Sequence, residues 1–196
     1  MFPGFAREHR SRDTPQLCII EHMFYIGERE VTSNATLVPG LTYRENWLNA
    51  DEQAALLSEL DGLPWRRAAG RRTQVHTLRR RNCPDSVLAL ATRVAESGML
   101  SSSPARIEVV EYQPGDGEDG SEAAGWATVS LGSPCVMICE HPGRRLAVPL
   151  LLSPGGLLAH RRGAGQLWHL NIPGRKIDQF EGRRFARGRR LALRMM

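Results

Sequence analysis

Lysine is almost absent from this chain: 25 arginines stand against one lysine, Lys176, within a formal charge of +5. Cysteine is scarce as well. Cys18, Cys83, Cys135 and Cys139 form no Cys-x-x-Cys pair, which argues against a zinc or disulfide framework. No run of 18 uncharged apolar residues occurs, so a helical membrane span is excluded. Gly-x-Ser-x-Gly is missing, and Ser130 has no His-Asp signature near it. His9, His22 and His76 are isolated, while His141, His160 and His169 with Cys135 and Cys139 match no metal-ligand spacing. Between Tyr112 and Ser130 there is no histidine at all. At 196 residues the chain suits one domain with a sizeable core, or one domain with a short arm.

What is present in quantity is clustered arginine. Arg66, Arg67, Arg71, Arg72, Arg79, Arg80 and Arg81 fall in one short segment that lacks the aromatics used to stack on a base. Further groups are Arg144-Arg145, Arg161-Arg162, and Arg183, Arg184, Arg187, Arg189 and Arg190. A GC-rich coding bias would explain the Arg:Lys ratio but not this clustering. The guanidinium fork donates bidentately to phosphate and is weakly hydrated, so loops of this kind neutralise a nucleic-acid backbone without reading bases. Structured RNA, recognised by shape and backbone, is the expected partner, with Arg66, Arg67, Arg71, Arg72, Arg79, Arg80, Arg81, Arg161, Arg162, Arg183, Arg184 and Arg187 as the contacts.

Residues 1–37 read as an N-terminal arm, with a short apolar run at Leu17–Ile20 and Met23–Ile26 suited to a strand or to packing on a partner. Its start carries Phe2, Phe5, Arg7, Arg10 and Arg12 in the manner of a mitochondrial presequence, although Glu8 and Asp13 are acids that such peptides avoid. A mitochondrial address is expected, with cytoplasm or nucleus as alternatives. Residues 38–196 read as the domain proper. Asn49 with Glu52 forms a capping box ahead of Leu56, Leu57 and Leu60, and Gly62 with Pro64 ends that helix. Val87, Leu88, Leu90, Ala91 and Val94 suggest a second helix, stopped by Gly98. Strand patterns follow at Arg106–Tyr112, Trp126–Leu131, Cys135–Cys139, Leu146–Leu152, Leu157–Leu158, Gln166–Ile172 and Arg190–Met195, each bounded by turn residues. Many short strands of this kind imply an antiparallel barrel or sandwich.

The order Tyr-x-Pro-Gly-Asp-Gly (Tyr112 to Gly117), Ser-Leu-Gly (Ser130 to Gly132), Pro-Gly-Gly-Leu-Leu (Pro154 to Leu158), Trp-His-Leu-Asn-Ile (Trp168 to Ile172) and Arg-Arg-Leu-Ala-Leu-Arg-Met (Arg189 to Met195) resembles the AlkB-like family of iron(II)/2-oxoglutarate dioxygenases. The resemblance implies an α+β fold, a double-stranded β-helix (jelly roll) with flanking N-terminal helices. It also implies that residues 66–81 correspond to a lid over nucleic-acid substrates. Iron in this family is held by two histidines and a carboxylate, which leaves coordination sites open. Here the His-x-Asp pair is missing, and aligning Trp168 and Ile172 puts Leu170 on the distal histidine's place. His169 sits one residue early, on the opposite strand face unless a bulge intervenes. Tyr112 and Arg190 match co-substrate contacts and are read as vestigial; Val110, Ala192, Arg194 and Met196 replace other family residues.

The expectation is therefore a domain without catalytic or metal-binding residues and without a cofactor. It would serve as a structural, RNA-contacting subunit of a ribonucleoprotein assembly, such as a mitochondrial ribosome or its assembly intermediate, beside neighbouring proteins and away from membranes. Two alternatives stay open. One is an active dioxygenase, with iron and 2-oxoglutarate, demethylating nucleic acid or protein; the other is a protein-interaction module without RNA contact.

Overall fold

Asn49 opens the first helix as its sequence predicts, accepting a hydrogen bond from the Glu52 backbone N–H at 2.9 Å while the Glu52 carboxylate accepts from the Asn49 N–H at 2.8 Å. This helix, α1 (Ala50–Gly62), stops before Leu63-Pro64, and α2 (Asp85–Glu96) buries Val87, Leu90, Ala91 and Val94 at helical spacing. The computed structural model describes residues 34–78, 83–120, 125–161 and 168–196, and the backbone of 18–19. The expected presequence features therefore lie outside the described residues, as do Arg79, Arg80, Arg81 and Arg162.

The remaining elements are strands: β1 (Cys18–Ile19), β2 (Leu41–Arg44), β3 (Arg66–Ala68), β4 (Arg71–Thr77), β5 (Arg106–Tyr112), β6 (Glu118–Gly120) and β7 (Trp126–Gly132). They continue with β8 (Cys135–His141), β9 (Leu146–Leu152), β10 (Leu157–His160), β11 (His169–Ile172), β12 (Ile177–Phe180), β13 (Arg183–Ala186) and β14 (Arg190–Met195). One sheet runs β2-β10-β7-β14-β5-β4-β3 and is antiparallel throughout; the other runs β1-β9-β8-β11-β6, antiparallel except for β1 on β9. A two-stranded hairpin, β12-β13, stands apart from both. Facing antiparallel sheets with two helices on one side make a jelly roll, the expected fold class.

Strand alternation explains the layering. On β14, Leu191, Leu193 and Met195 point at α1 and α2 and are fully buried there with Leu60, Val87 and Val94. Arg190, Ala192 and Arg194 take the other face and look into the space between the sheets. A second apolar core, with Cys135, Cys139, Val148, Leu150, Leu152, Leu158, Leu170 and Ile172, fills most of that space. Each fully buried leucine contributes about 1.5–3 kcal/mol, so both cores favour this one register: a one-residue slip would exchange arginines for leucines.

Three features differ from the sequence expectation. The packed body begins ahead of Val38, because the short 3-10 turn Asn34–Leu37 buries Ala35 and donates from Asn34 Nδ2 to Pro149 O at 3.1 Å. The basic segment read as a lid forms the hairpin β3–β4 on the sheet edge, turned by Ala69 (φ 49°) and Gly70 (φ 79°). The hairpin β12–β13, missed in the strand pattern, uses the same device with Glu181 (φ 47°) and Gly182 (φ 75°). Two successive residues with positive φ match the twist of paired strands, which is why a two-residue turn suffices.

Candidate functional site

The space between the sheets narrows to a chamber lined by Glu118, Gly120, Trp126, Thr128, Met137, Leu170, Arg190 and Arg194. Strand β14 brings in Arg190 and Arg194, β7 brings Trp126 and Thr128, and the opposite sheet supplies Glu118 and Gly120 from β6 and Leu170 from β11. The short strand β6 lies tight on β11. A Cβ added at Gly120 would meet the Leu170 carbonyl oxygen at 1.8 Å, and one at Gly117 would meet Gly174 N at 2.8 Å.

Charges meet across the chamber. Arg194 Nη2 reaches Glu118 Oε1 at 2.5 Å and the Tyr112 hydroxyl at 2.5 Å, while Arg190 Nη1 lies 3.5 Å from Glu118 Oε2. Arg190 also donates to Ser130 Oγ at 3.3 Å and stacks over the Tyr112 ring at 5.2 Å. Burial alone would raise the Glu118 carboxyl, yet the two guanidiniums outweigh it and hold the group below its ordinary value. Tyr112 moves the other way: burial, with Glu118 nearby, pushes its phenol well above the usual range, so it stays protonated.

These residues do not fit the iron centre that the family resemblance implies. Among the described residues no three His, Cys, Asp or Glu side chains converge, and Glu118 is the one acid lining the chamber. That carboxylate is already neutralised by arginine. Leu170 faces the chamber at the distal position, whereas His169 is turned outward, 43% exposed, and pairs with Asp119 at 3.0 Å. The space left open is about 20 Å³, and a single water needs about 10–15 Å³; 2-oxoglutarate is far larger. Tyr112 and Arg190, the two co-substrate positions, hold each other and Glu118 instead.

The arginines expected at a nucleic-acid surface divide. Arg66 and Arg67 on β3, Arg183 and Arg184 on β13, and Arg144, Arg145 and Arg161 are exposed. Arg161 donates to Gly98 O at 2.5 Å. Arg71 is partly occupied, donating to Gly117 O at 2.6 Å and lying 4.9 Å from the Tyr112 ring centre. Arg72 covers Trp65 at 4.6 Å and pairs with Glu111 at 3.2 Å. Arg187 corrects the expectation outright. Its side chain is 5% exposed and grips Asp178 with Nε to Oδ2 at 2.5 Å and Nη2 to Oδ1 at 2.9 Å, because burying Asp178 inside the sandwich requires a cation.

Glu118 and Arg194 had not been singled out as site residues. For Arg194 a signal was available, since it shares the strand face of Arg190 by period-2 alternation. For Glu118 there was none: β6 is three residues long, and only its pairing with β11 aims the side chain inward.

No protein-family model matches the chain, and no curated protein does. Solved structures match it in shape. OsALKBH1 superposes with a TM-score of 0.55 over 80% of this chain and 97% of its own, at 13% identity. The non-heme α-ketoglutarate-dependent epimerase SnoN from nogalamycin biosynthesis gives 0.52 over 82% of this chain and 79% of its own, at 17% identity. An oxidoreductase of the 2OG-Fe(II) oxygenase family from Burkholderia pseudomallei gives 0.50 over 80% and 84%, at 13% identity. At such identities the likeness establishes the fold.

Proposed function

We propose that this chain, which carries the AlkB-like fold of the iron(II)/2-oxoglutarate oxygenases, is a non-catalytic subunit that holds structured RNA against its exposed arginines within a ribonucleoprotein assembly. The observation that carries the reading is the division of those arginines. Arg187, Arg190 and Arg194 are turned inward onto Asp178 and Glu118, where an oxygenase would need open ligand positions. Arg66 and Arg67 at the sheet edge, and Arg183 and Arg184 on the separate hairpin, are exposed and make no ion pair among the described residues. The hairpins have a common root: Arg71 at the start of β4 binds Gly117 O, and Arg187 just after β13 binds Asp116 O, so both flank one turn. Paired guanidiniums on two rigid hairpins suit successive phosphates of a folded RNA. The assembly we propose is a mitochondrial ribosome or an intermediate in its formation.

The test is a salt titration of RNA binding by the full chain and by a variant carrying R66E, R67E, R183E and R184E. Each phosphate contact contributes roughly 0.7–0.9 to the slope of log K against log salt, so the variant binds more weakly with a slope shallower by up to about 3. An unchanged slope in a folded variant would remove the RNA contact and leave a protein-interaction module. The non-catalytic half is tested separately, with manganese(II) and 2-oxoglutarate in calorimetry and iron(II) in a succinate assay. Stoichiometric metal binding with turnover would restore the dioxygenase reading.

A further inference from the structure

We propose that Glu118 is a ligand built into the chain: its carboxylate occupies the anion site formed by Arg190, Arg194 and Tyr112, and so closes the two sheets on each other without a cofactor. A guanidinium does not shed its proton, so a buried one needs an anion beside it. Two are enclosed here, Arg190 and Arg194, and both point at the same carboxylate. The Tyr112 hydroxyl adds a hydrogen bond to it. Three groups on the seven-stranded sheet thus converge on one side chain from the five-stranded sheet. Bound small acids are held in the same way, by charge, a neutral donor and exclusion of water. Glu118 differs in being tethered, and tethering spares the entropy that a free ligand would lose. What remains beside it has room for about one water, next to Arg190 Nε and Thr128 Oγ1, which have no hydrogen-bond partner in the protein.

The chamber holds two positive groups against one negative. Removing Glu118 therefore leaves two buried cations around a space of carboxylate size, and that space should accept a small acid from solution. This holds whether or not the surface arginines bind RNA, because none of these groups lies on the hairpins.

The experiment is thermal unfolding of full-length E118A, E118Q and unaltered protein in sodium chloride and in sodium acetate at equal ionic strength. Acetate is expected to raise the Tm of E118A saturably, and to bind it with about one-to-one stoichiometry by isotope-labelled acetate NMR. The unaltered chain and E118Q, whose side chains still fill the space, should show neither effect. Adding R194M to E118A should abolish the acetate response. If E118A does not fold in chloride, recovery of folded protein in acetate alone supports the proposal, and aggregation in both salts overturns it. It is equally overturned if E118A melts with the unaltered protein in chloride, or if acetate shifts all three proteins alike.

Discussion

Replacing Asp178 with alanine strands a cation inside the protein. Asp178 is fully buried and accepts from Arg187 on both oxygens, from the Val136 N–H at 2.9 Å, and pairs with Arg175 at 2.8 Å. Arg175 is 40% exposed and can turn to water; Arg187, at 5%, cannot. Breaking a buried ion pair from one side costs about 3–5 kcal/mol, and a buried N–H left without an acceptor costs about 1–3 kcal/mol. The two penalties overlap, so D178A is expected to lose about 4–5 kcal/mol from a total of about 5–15 kcal/mol. With a urea slope of about 2 kcal/mol per molar, the unfolding midpoint falls by about 2 M. The double variant D178L/R187M, which removes both charges and refills the space, should recover most of that loss. Urea unfolding followed by tryptophan fluorescence measures all of these. A D178A midpoint within about 0.5 M of the unaltered chain, on the same slope scale, would refute the reasoning, as would a double variant less stable than the single. R187M should leave RNA affinity unchanged, in contrast with the four-arginine hairpin variant.

Acid should weaken the protein partly through Glu118. Its carboxyl is held below the ordinary 4.5 in the folded chain, so its contribution is fully present above that value and is lost as pH falls through the lower folded value. E118Q should therefore flatten the acid limb of a Tm-against-pH curve while leaving the neutral side level. Gly120→Ala places a methyl on the Leu170 carbonyl at 1.8 Å, so β6 must part from β11; calorimetry should show a loss of several degrees, more than for Gly62→Ala, where no atom lies within 4 Å. Asn49→Ala removes one half of the capping box at α1 and should cost about 1 kcal/mol by chemical denaturation.

Local chemistry determined what could be read in advance. The capping box at Asn49 and Glu52 involves residues three apart, and the strand limits Leu146–Leu152 and Arg190–Met195 follow from alternation between turn residues. The absence of histidine between Tyr112 and Ser130, and Leu170 in place of the distal ligand, are also statements about sequence alone. Hairpins β3–β4 and β12–β13 escaped because Ala69-Gly70 and Glu181-Gly182 lie between arginine-rich strands with little apolar alternation to mark them. Tertiary structure decided which arginines face solvent. Arg183, Arg184 and Arg187 lie within five residues of one another, yet the first two are exposed and the third is sealed on Asp178. Glu118 became an interior partner for Arg190 and Arg194, more than 70 positions away, only through the facing of two sheets. A charge's fate depends on burial and on the counter-ion beside it, and both come from chain segments that sequence spacing does not bring together.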